Sequence, residues 1–255
     1  MEPPIRDDEF FIGYAPPMPP SLASFVRRSV IAVAVFLVVW AVVAATGHVR
    51  LEGGTFAFGH PEIVSGTIVA RPFPLLTPDD DAARARPWPL LVAPGKHGAD
   101  SLARGLDGRR ITVMGTRIER GAHAMIEIDP ASLESARQGE QAAAAADASQ
   151  TAAAGRAVEL TGEIVDSKCF LGVMVPGSGK THKDCAALCL RGGIPPALHV
   201  QDRSGRASLL LMTGASGESI GDEAQTLAGE PVVVTGTIVR QAGWLVLRTD
   251  PHGWR

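Results

Sequence analysis

The sequence predicts a mainly β protein behind one membrane-spanning helix, with two small barrel modules in tandem. Three observations predict it: an uncharged apolar run near the N-terminus, a repeat of strand-like segments in the remainder, and a turn-rich composition of 28 glycines and 19 prolines in 255 residues.

The apolar run is Ser29 to Thr46, SVIAVAVFLVVWAVVAAT, 18 residues without a charge. A span of ~20 such residues crosses a ~30 Å hydrocarbon core, and an uncharged run of this length is long for a buried core helix. Arg27 and Arg28 abut its start, whereas Arg50 alone lies close beyond its end. Positive charge favours the cytoplasmic side, which makes residues 1–28 a cytoplasmic tail, 29–47 the transmembrane helix, and the rest extracytoplasmic. A cleavable signal peptide is the rival, with Val43-Ala44-Ala45 as its small-residue site. The long polar lead and long apolar run favour an uncleaved anchor. In a bacterium this is a single-pass inner-membrane protein with its C-terminal part in the periplasm, an oxidising compartment.

Beyond the span, the chain repeats itself. Residues 65–69, SGTIV, correspond to 161–165, TGEIV, and 108–130 correspond to 229–251, each ending in Asp-Pro. The later pair alternates apolar and polar residues, turns at Gly121 or Gly243, and shares Val-x-Gly-Thr at 113–116 and 234–237. Alternation is the mark of a half-buried strand, and a glycine inside a strand suggests a bulge or sharp bend that lets a short sheet curl. The modules, 48–130 and 157–255, each resemble a small OB-like Greek-key barrel, with a generic antiparallel sandwich as the alternative. Between them, 131–156 is alanine-rich with almost no large apolar residue, and reads as a linker with some helical tendency.

The repeat offset is 96 at the first strand and 121 at the last hairpin, so the second module carries 25 extra residues. The three cysteines of the chain, all between 169 and 189, fall in that gap. An insertion on a repeated frame is a place to look for function. Within it, Pro176-Gly177-Ser178-Gly179-Lys180-Thr181 looks like the end of a phosphate loop. That loop needs glycine five residues before Gly179, where this chain has Met174. No nucleotide site is expected. Net charge of −3 and a pI near 6.2 give no sign of nucleic-acid binding either.

The residues that carry chemistry are Asp166-x-x-Cys169 followed by His182-x-x-Cys185-x-x-x-Cys189. A helix through 182–191, ended by Gly192-Gly193 and barred by Pro195-Pro196, would put His182, Cys185 and Cys189 on one face. Two readings stay open. Cys169 could form a disulfide with Cys185 or Cys189; the latter two, four apart on a helix, have Cβ atoms ~5–6 Å apart, too far to pair with each other. Alternatively Cys169, His182, Cys185 and Cys189, with Asp166 as a further candidate, ligate zinc or copper. A lowered-pKa thiol beside Lys180 and Lys183, exchanging disulfides or ligating haem, is a third reading; neither C-x-x-C-H nor C-x-x-C is present to support it.

The residues GEIVDSKC and HKDCAALCLRGGIPP, within 162–196, resemble a motif of uncharacterised bacterial envelope proteins, G-x-[IV]-x-D-x-x-C followed by H-x-x-C-x-x-x-C, then glycine and proline. That resemblance implies a location, the cell envelope, and no activity. No Ser/His/Asp or paired-carboxylate arrangement is legible, so no catalytic residue is assigned and an enzyme is not expected. The sequence therefore points to a membrane-anchored periplasmic accessory subunit, seated in the lipid bilayer beside an integral-membrane partner, such as a redox complex. The alternatives are a metal-binding or metal-delivery protein and a thiol-exchange enzyme.

Overall fold

In a computed structural model of the chain, residues 18–47, 53–80, 84–138 and 155–255 are described. The chain divides into two compact units, residues 1–51 and 52–255. The first contains one helix, α1 (Pro20–Gly47), long and apolar enough to cross a membrane. It starts nine residues before the expected span and includes Arg27 and Arg28. Most of the expected cytoplasmic tail lies outside the described residues.

The second unit is built from β1 (Thr55–Phe56), β2 (Glu62–Val69), β3 (Leu75–Pro78), β4 (Leu90–Val92), α2 (Asp100–Ala103), β5 (Arg110–Arg120), β6 (His123–Ile128), α3 (Pro130–Gln138), β7 (Arg156–Asp166), α4 (Lys183–Arg191), β8 (Pro196–Gln201), β9 (Ala207–Gly214), α5 (Gly221–Ala224), β10 (Pro231–Gln241) and β11 (Trp244–Thr249). Short π- and 3₁₀-helical turns cover Cys169–Val173, Gln225–Leu227 and Pro251–Gly253.

These strands close two five-stranded barrels, in the order β2-β3-β4-β6-β5 and β7-β8-β9-β11-β10. Neighbours are antiparallel except β4 with β6 and β9 with β11, which run parallel. The two-residue β1 adds to the outside of β5 through Thr55 opposite Glu119.

The repeated glycine sits where one long strand passes between two partners. Gly115 pairs with Glu62 of β2 and with Ile128 of β6, and Gly236 pairs with Val158 of β7 and Thr249 of β11. Pairing is in register up to Gly115 in both of its ladders and continuous through Gly236 in the ladder with β7, so the device is a close approach rather than a bulge. A Cβ on Gly115 would stand 2.3 Å from Ile126 Cγ2, and one on Gly236 2.3 Å from the Arg248 carbonyl oxygen.

Each barrel has its own apolar interior. Val64, Ile68, Leu91, Ile111 and Ile126 fill the first, and Ile164, Leu198, Met212, Val234 and Leu247 the second. A third cluster joins Val69, Leu90, Val92, Ile118 and Met125 of the first barrel to Val165, Leu209, Leu211, Trp244 and Val246 of the second. The runs Leu90-Leu91-Val92 and Leu209-Leu210-Leu211-Met212 therefore alternate between an interior and this seam. That is why they are continuously apolar where a half-solvated strand would alternate.

The stretch read as a linker begins as structure. Helix α3 seats Leu133, one of its few large apolar residues, at 1% exposure in the first barrel's core, beside Ala136. Residues 139–154 lie outside the described residues.

The insertion has one address. Five residues separate Val69 from Leu75 across the β2–β3 connection, whereas 31 separate Val165 from Ala197 across β7–β8. All of the cysteines lie in this one connection.

Candidate metal centre

The inserted connection starts at the end of β7, where Asp166 pairs with Pro196 of β8. Asp166 is fully buried, and its Oδ1 accepts the backbone N–H of Cys169 at 2.8 Å. Its Oδ2 meets His182 Nε2 at 2.9 Å. A buried carboxylate needs such partners because isolated burial of charge is costly.

The Pro-Gly-Ser-Gly-Lys-Thr turn follows. Gly179 takes a left-handed φ of 80°, and its N–H donates to Glu163 Oε1 of β7. The amide that a phosphate loop would present to a ligand is thus committed to a carboxylate of the barrel.

Helix α4 begins after His182, whose carbonyl accepts from Ala186 N at 2.9 Å. Asp184 in its first turn and Arg191 in its last complement the helix dipole. Ile194 N donates to the Cys189 carbonyl at 3.0 Å, and Gly193, at φ 88°, turns the chain out of the helix. Helix stop and strand restart at Pro196 are where the Gly-Gly and Pro-Pro pairs put them.

On this helix Cys185 and Cys189 stand one turn apart, and Cys169 approaches them. The three sulfurs all lie within 4.8 Å of one another. A second cluster on the same scale comprises Asp166, Cys169 and His182. Asp166, Cys169, His182, Cys185 and Cys189 thus gather in one place, but as two overlapping triads that share Cys169. His182 immediately precedes the helix and is held by Asp166, in the second triad rather than in the one with Cys185 and Cys189. All three cysteines are free thiols, and Cys169 Sγ is 3.9 Å from Cys189 Sγ, against ~2.05 Å in a disulfide.

One group is contributed from outside the insertion. Lys96, on the turn Ala93 to Gly98 of the first barrel, places Nζ 2.7 Å from Cys185 Sγ and 3.7 Å from Cys189 Sγ. That turn is held in place by the insertion itself. Lys168, 2% exposed, donates to the carbonyls of Ala93 (2.9 Å) and Gly95 (2.7 Å) and pairs with Glu127 of β6. Gly98 N donates to the Gly192 carbonyl at 2.9 Å. Each barrel therefore sends a lysine into the other's loop. In the sequence, Ala93-Pro94-Gly95-Lys96-His97-Gly98 is recognisable as a loop, but nothing local ties it to a thiol 89 residues away.

The charges follow from these contacts. The Cys169 thiol, donating to Cys189 and buried beside Asp166, is pushed far above the ordinary thiol range. Cys189 is drawn down because it accepts from Cys169, with the Lys96 cation adding to the effect. Lys96 is held up, first by its bond to Cys185. A largely buried set of three thiols, one of them drawn below the ordinary thiol range, can hold a soft metal ion.

A cleft of about 600 Å³ lies elsewhere, lined by Asp79, Arg86, Arg117, Glu119 and His123 of the first barrel. None of the cysteines lines it. Comparison with family models, curated proteins and solved structures finds no match, so function has to be read from the chemistry of the site.

Proposed function

We propose that this chain is a membrane-anchored periplasmic protein that holds copper(I) on Cys169, Cys185 and Cys189. The observation that carries this reading is the convergence of the three sulfurs within 4.8 Å. Thiolates select soft ions, and zinc in a closed structural site takes four ligands. Here the expected fourth ligand, His182, is engaged by Asp166, and the ammonium of Lys96 lies against two of the sulfurs. A three-thiolate set without a fourth donor suits copper(I) better than structural zinc.

The rest of the molecule supports a holding role. The ring order of each barrel, with a short helix between its third and fourth strands, is that expected of an OB-like barrel, and the insertion occupies the first inter-strand loop, a binding loop of that fold. Arg27 and Arg28 at the start of the apolar run favour a cytoplasmic N-terminus and a periplasmic barrel unit. The chain serves as an accessory subunit beside an integral-membrane partner, keeping the ion rather than transforming a substrate.

Full-length protein in mild detergent, reduced and free of oxygen, should bind one copper(I) per chain in competition with a chromophoric chelator. Replacing any one of the three cysteines by serine should abolish stoichiometric binding, while His182→Gln should retain it. A preparation with three titratable thiols that takes up no copper(I) would refute the reading.

A further inference from the structure

We propose that Lys96 and Cys185 form a covalent modification site, in which dioxygen joins Lys96 Nζ to Cys185 Sγ through a single bridging oxygen atom. The inference does not rest on the copper reading, because the pair is assembled by the protein alone.

The first ground is distance. Lys96 Nζ stands 2.7 Å from Cys185 Sγ, whereas the same nitrogen is 3.7 Å from Cys189 Sγ. A separation of 2.7 Å is at the short end for a nitrogen–oxygen hydrogen bond, ~2.7–3.2 Å, and sulfur is a larger atom than oxygen. Nitrogen and sulfur are thus held closer than a hydrogen bond to sulfur requires, and at the span of one bridging atom. A direct sulfur–nitrogen bond would be shorter even than a ~2.05 Å disulfide and would need the two chain segments to close up.

The second ground is that neither segment is free to close up. The turn carrying Lys96 is fastened through its Ala93 and Gly95 carbonyls to Lys168, and through Gly98 to Gly192. Cys185 lies within α4. One oxygen fills the gap with both main chains in place.

The third ground is access. Oxidation follows thiolate character and exposure. Cys185 is partly exposed, whereas Cys169 and Cys189 are buried at 4% and 1% exposure. The thiol that an oxidant reaches first is the one with the amine beside it.

The step balances as thiol plus amine plus dioxygen giving the bridge plus water. The S–H bond and one N–H bond break, and one oxygen atom of dioxygen forms both the S–O and N–O bonds. The other leaves as water with the two hydrogens. Sulfur and nitrogen are each oxidised by two electrons, and dioxygen accepts all four. The bridge ties the first barrel to the inserted helix and removes Cys185 from the three-thiol cluster, so oxidation would lock the barrels together and disable the metal site in one event.

The test is peptide mapping by mass spectrometry of the full-length, metal-free chain in detergent, compared between air-saturated and anaerobic, reduced buffer. The expected result in air is a Lys96 peptide joined to the Cys185 peptide, heavier than their sum by one oxygen less two hydrogens, and separated again by dithiothreitol. Trypsin should fail to cut after Lys96 in the joined species. Cys189→Ser should retain the species, and Lys96→Arg, which keeps the charge without a primary amine, should lose it. If the wild-type chain in air yields only a Cys169–Cys189 disulfide, only oxygenated Cys185, or no change, with Lys96 still cleavable, the proposal is overturned. Since the wild-type map alone decides, misfolding of a variant cannot rescue it.

Discussion

Trp244 of the second barrel donates its indole N–H to the carbonyl of Trp88 in the first, 2.8 Å away, and Trp88 N donates in turn to the Ala242 carbonyl at 2.9 Å. Trp244 is fully buried, packed in the seam cluster with its ring 4.5 Å from that of His123. It is both an apolar plug and a polar latch between the barrels. Trp244→Ala should cost ~3–5 kcal/mol through the cavity it leaves. Trp244→Phe keeps most of the volume but orphans the Trp88 carbonyl, at a cost of ~1–3 kcal/mol. Urea unfolding followed by far-UV circular dichroism measures both, and a Trp244→Phe variant as stable as the wild type would contradict the latch.

Lys168 is the second cross-barrel fastener, and its partners are all backbone carbonyls or the Glu127 carboxylate. Lys168→Met should be destabilising by ~3–5 kcal/mol, because it leaves a largely buried carboxylate without its counter-ion. It should also free the turn that presents Lys96. Thiol alkylation at Cys185 should then proceed at the same rate in Lys168→Met and in Lys168→Met/Lys96→Ala. A rate in the single variant still set by Lys96 would show that the turn holds itself.

Gly192 and Gly98 mark where the two main chains touch. A Cβ on Gly192 would stand 1.8 Å from the Lys96 carbonyl oxygen, and one on Gly98 2.0 Å from the Gly193 carbonyl oxygen. Neither glycine has a left-handed φ, so closeness and not conformation demands the missing side chain. Gly192→Ala should therefore force the loops apart, costing ~1–3 kcal/mol and lowering the yield of the Lys96–Cys185 cross-link in air. An unchanged yield would mean that the amine reaches the thiol without the main-chain contact.

Acid should weaken the seam. His123 and His199 are both held below the ordinary value of 6.5 by burial, His199 also by the nearby Arg120 cation. His199 lies 4.7 Å from the Phe170 ring, which Arg120 covers on a contact of 4.2 Å. A base whose pKa is lower folded than unfolded adds stability that is complete above pH 6.5 and is lost as pH falls through the folded value. Thermal midpoints should thus drop between pH 7 and pH 5, and the drop should shrink in His123→Gln/His199→Gln. An equal drop in wild type and double variant would assign the acid sensitivity to other groups.

The second coordination layer can be probed without touching a thiol. Asp166 orients Cys169 through its backbone N–H and holds His182. Asp166→Asn should lower copper(I) affinity by ~10–100-fold while leaving the stoichiometry at one. The same chelator competition measures it; no change would remove Asp166 from any role at the site.

Much of this molecule is legible in one dimension because its signals are local or repeat. Eighteen uncharged residues mark a helix that could span a bilayer, and repetition of SGTIV and TGEIV marks corresponding strands of two barrels. A shift in repeat offset locates an insertion whose helix stops at Gly192-Gly193, all set by side-chain and backbone preferences within a few residues. What repetition could not reveal is that the two barrels share a third core, because burial of a strand's second face depends on a partner distant in the chain. The pairing of His182 with Asp166 rather than with the thiols, and the arrival of Lys96 at Cys185, were likewise decided only in three dimensions. Both follow from long-range demands: a buried carboxylate must find a partner, and two glycines let two main chains meet closely enough to bring an amine onto a sulfur.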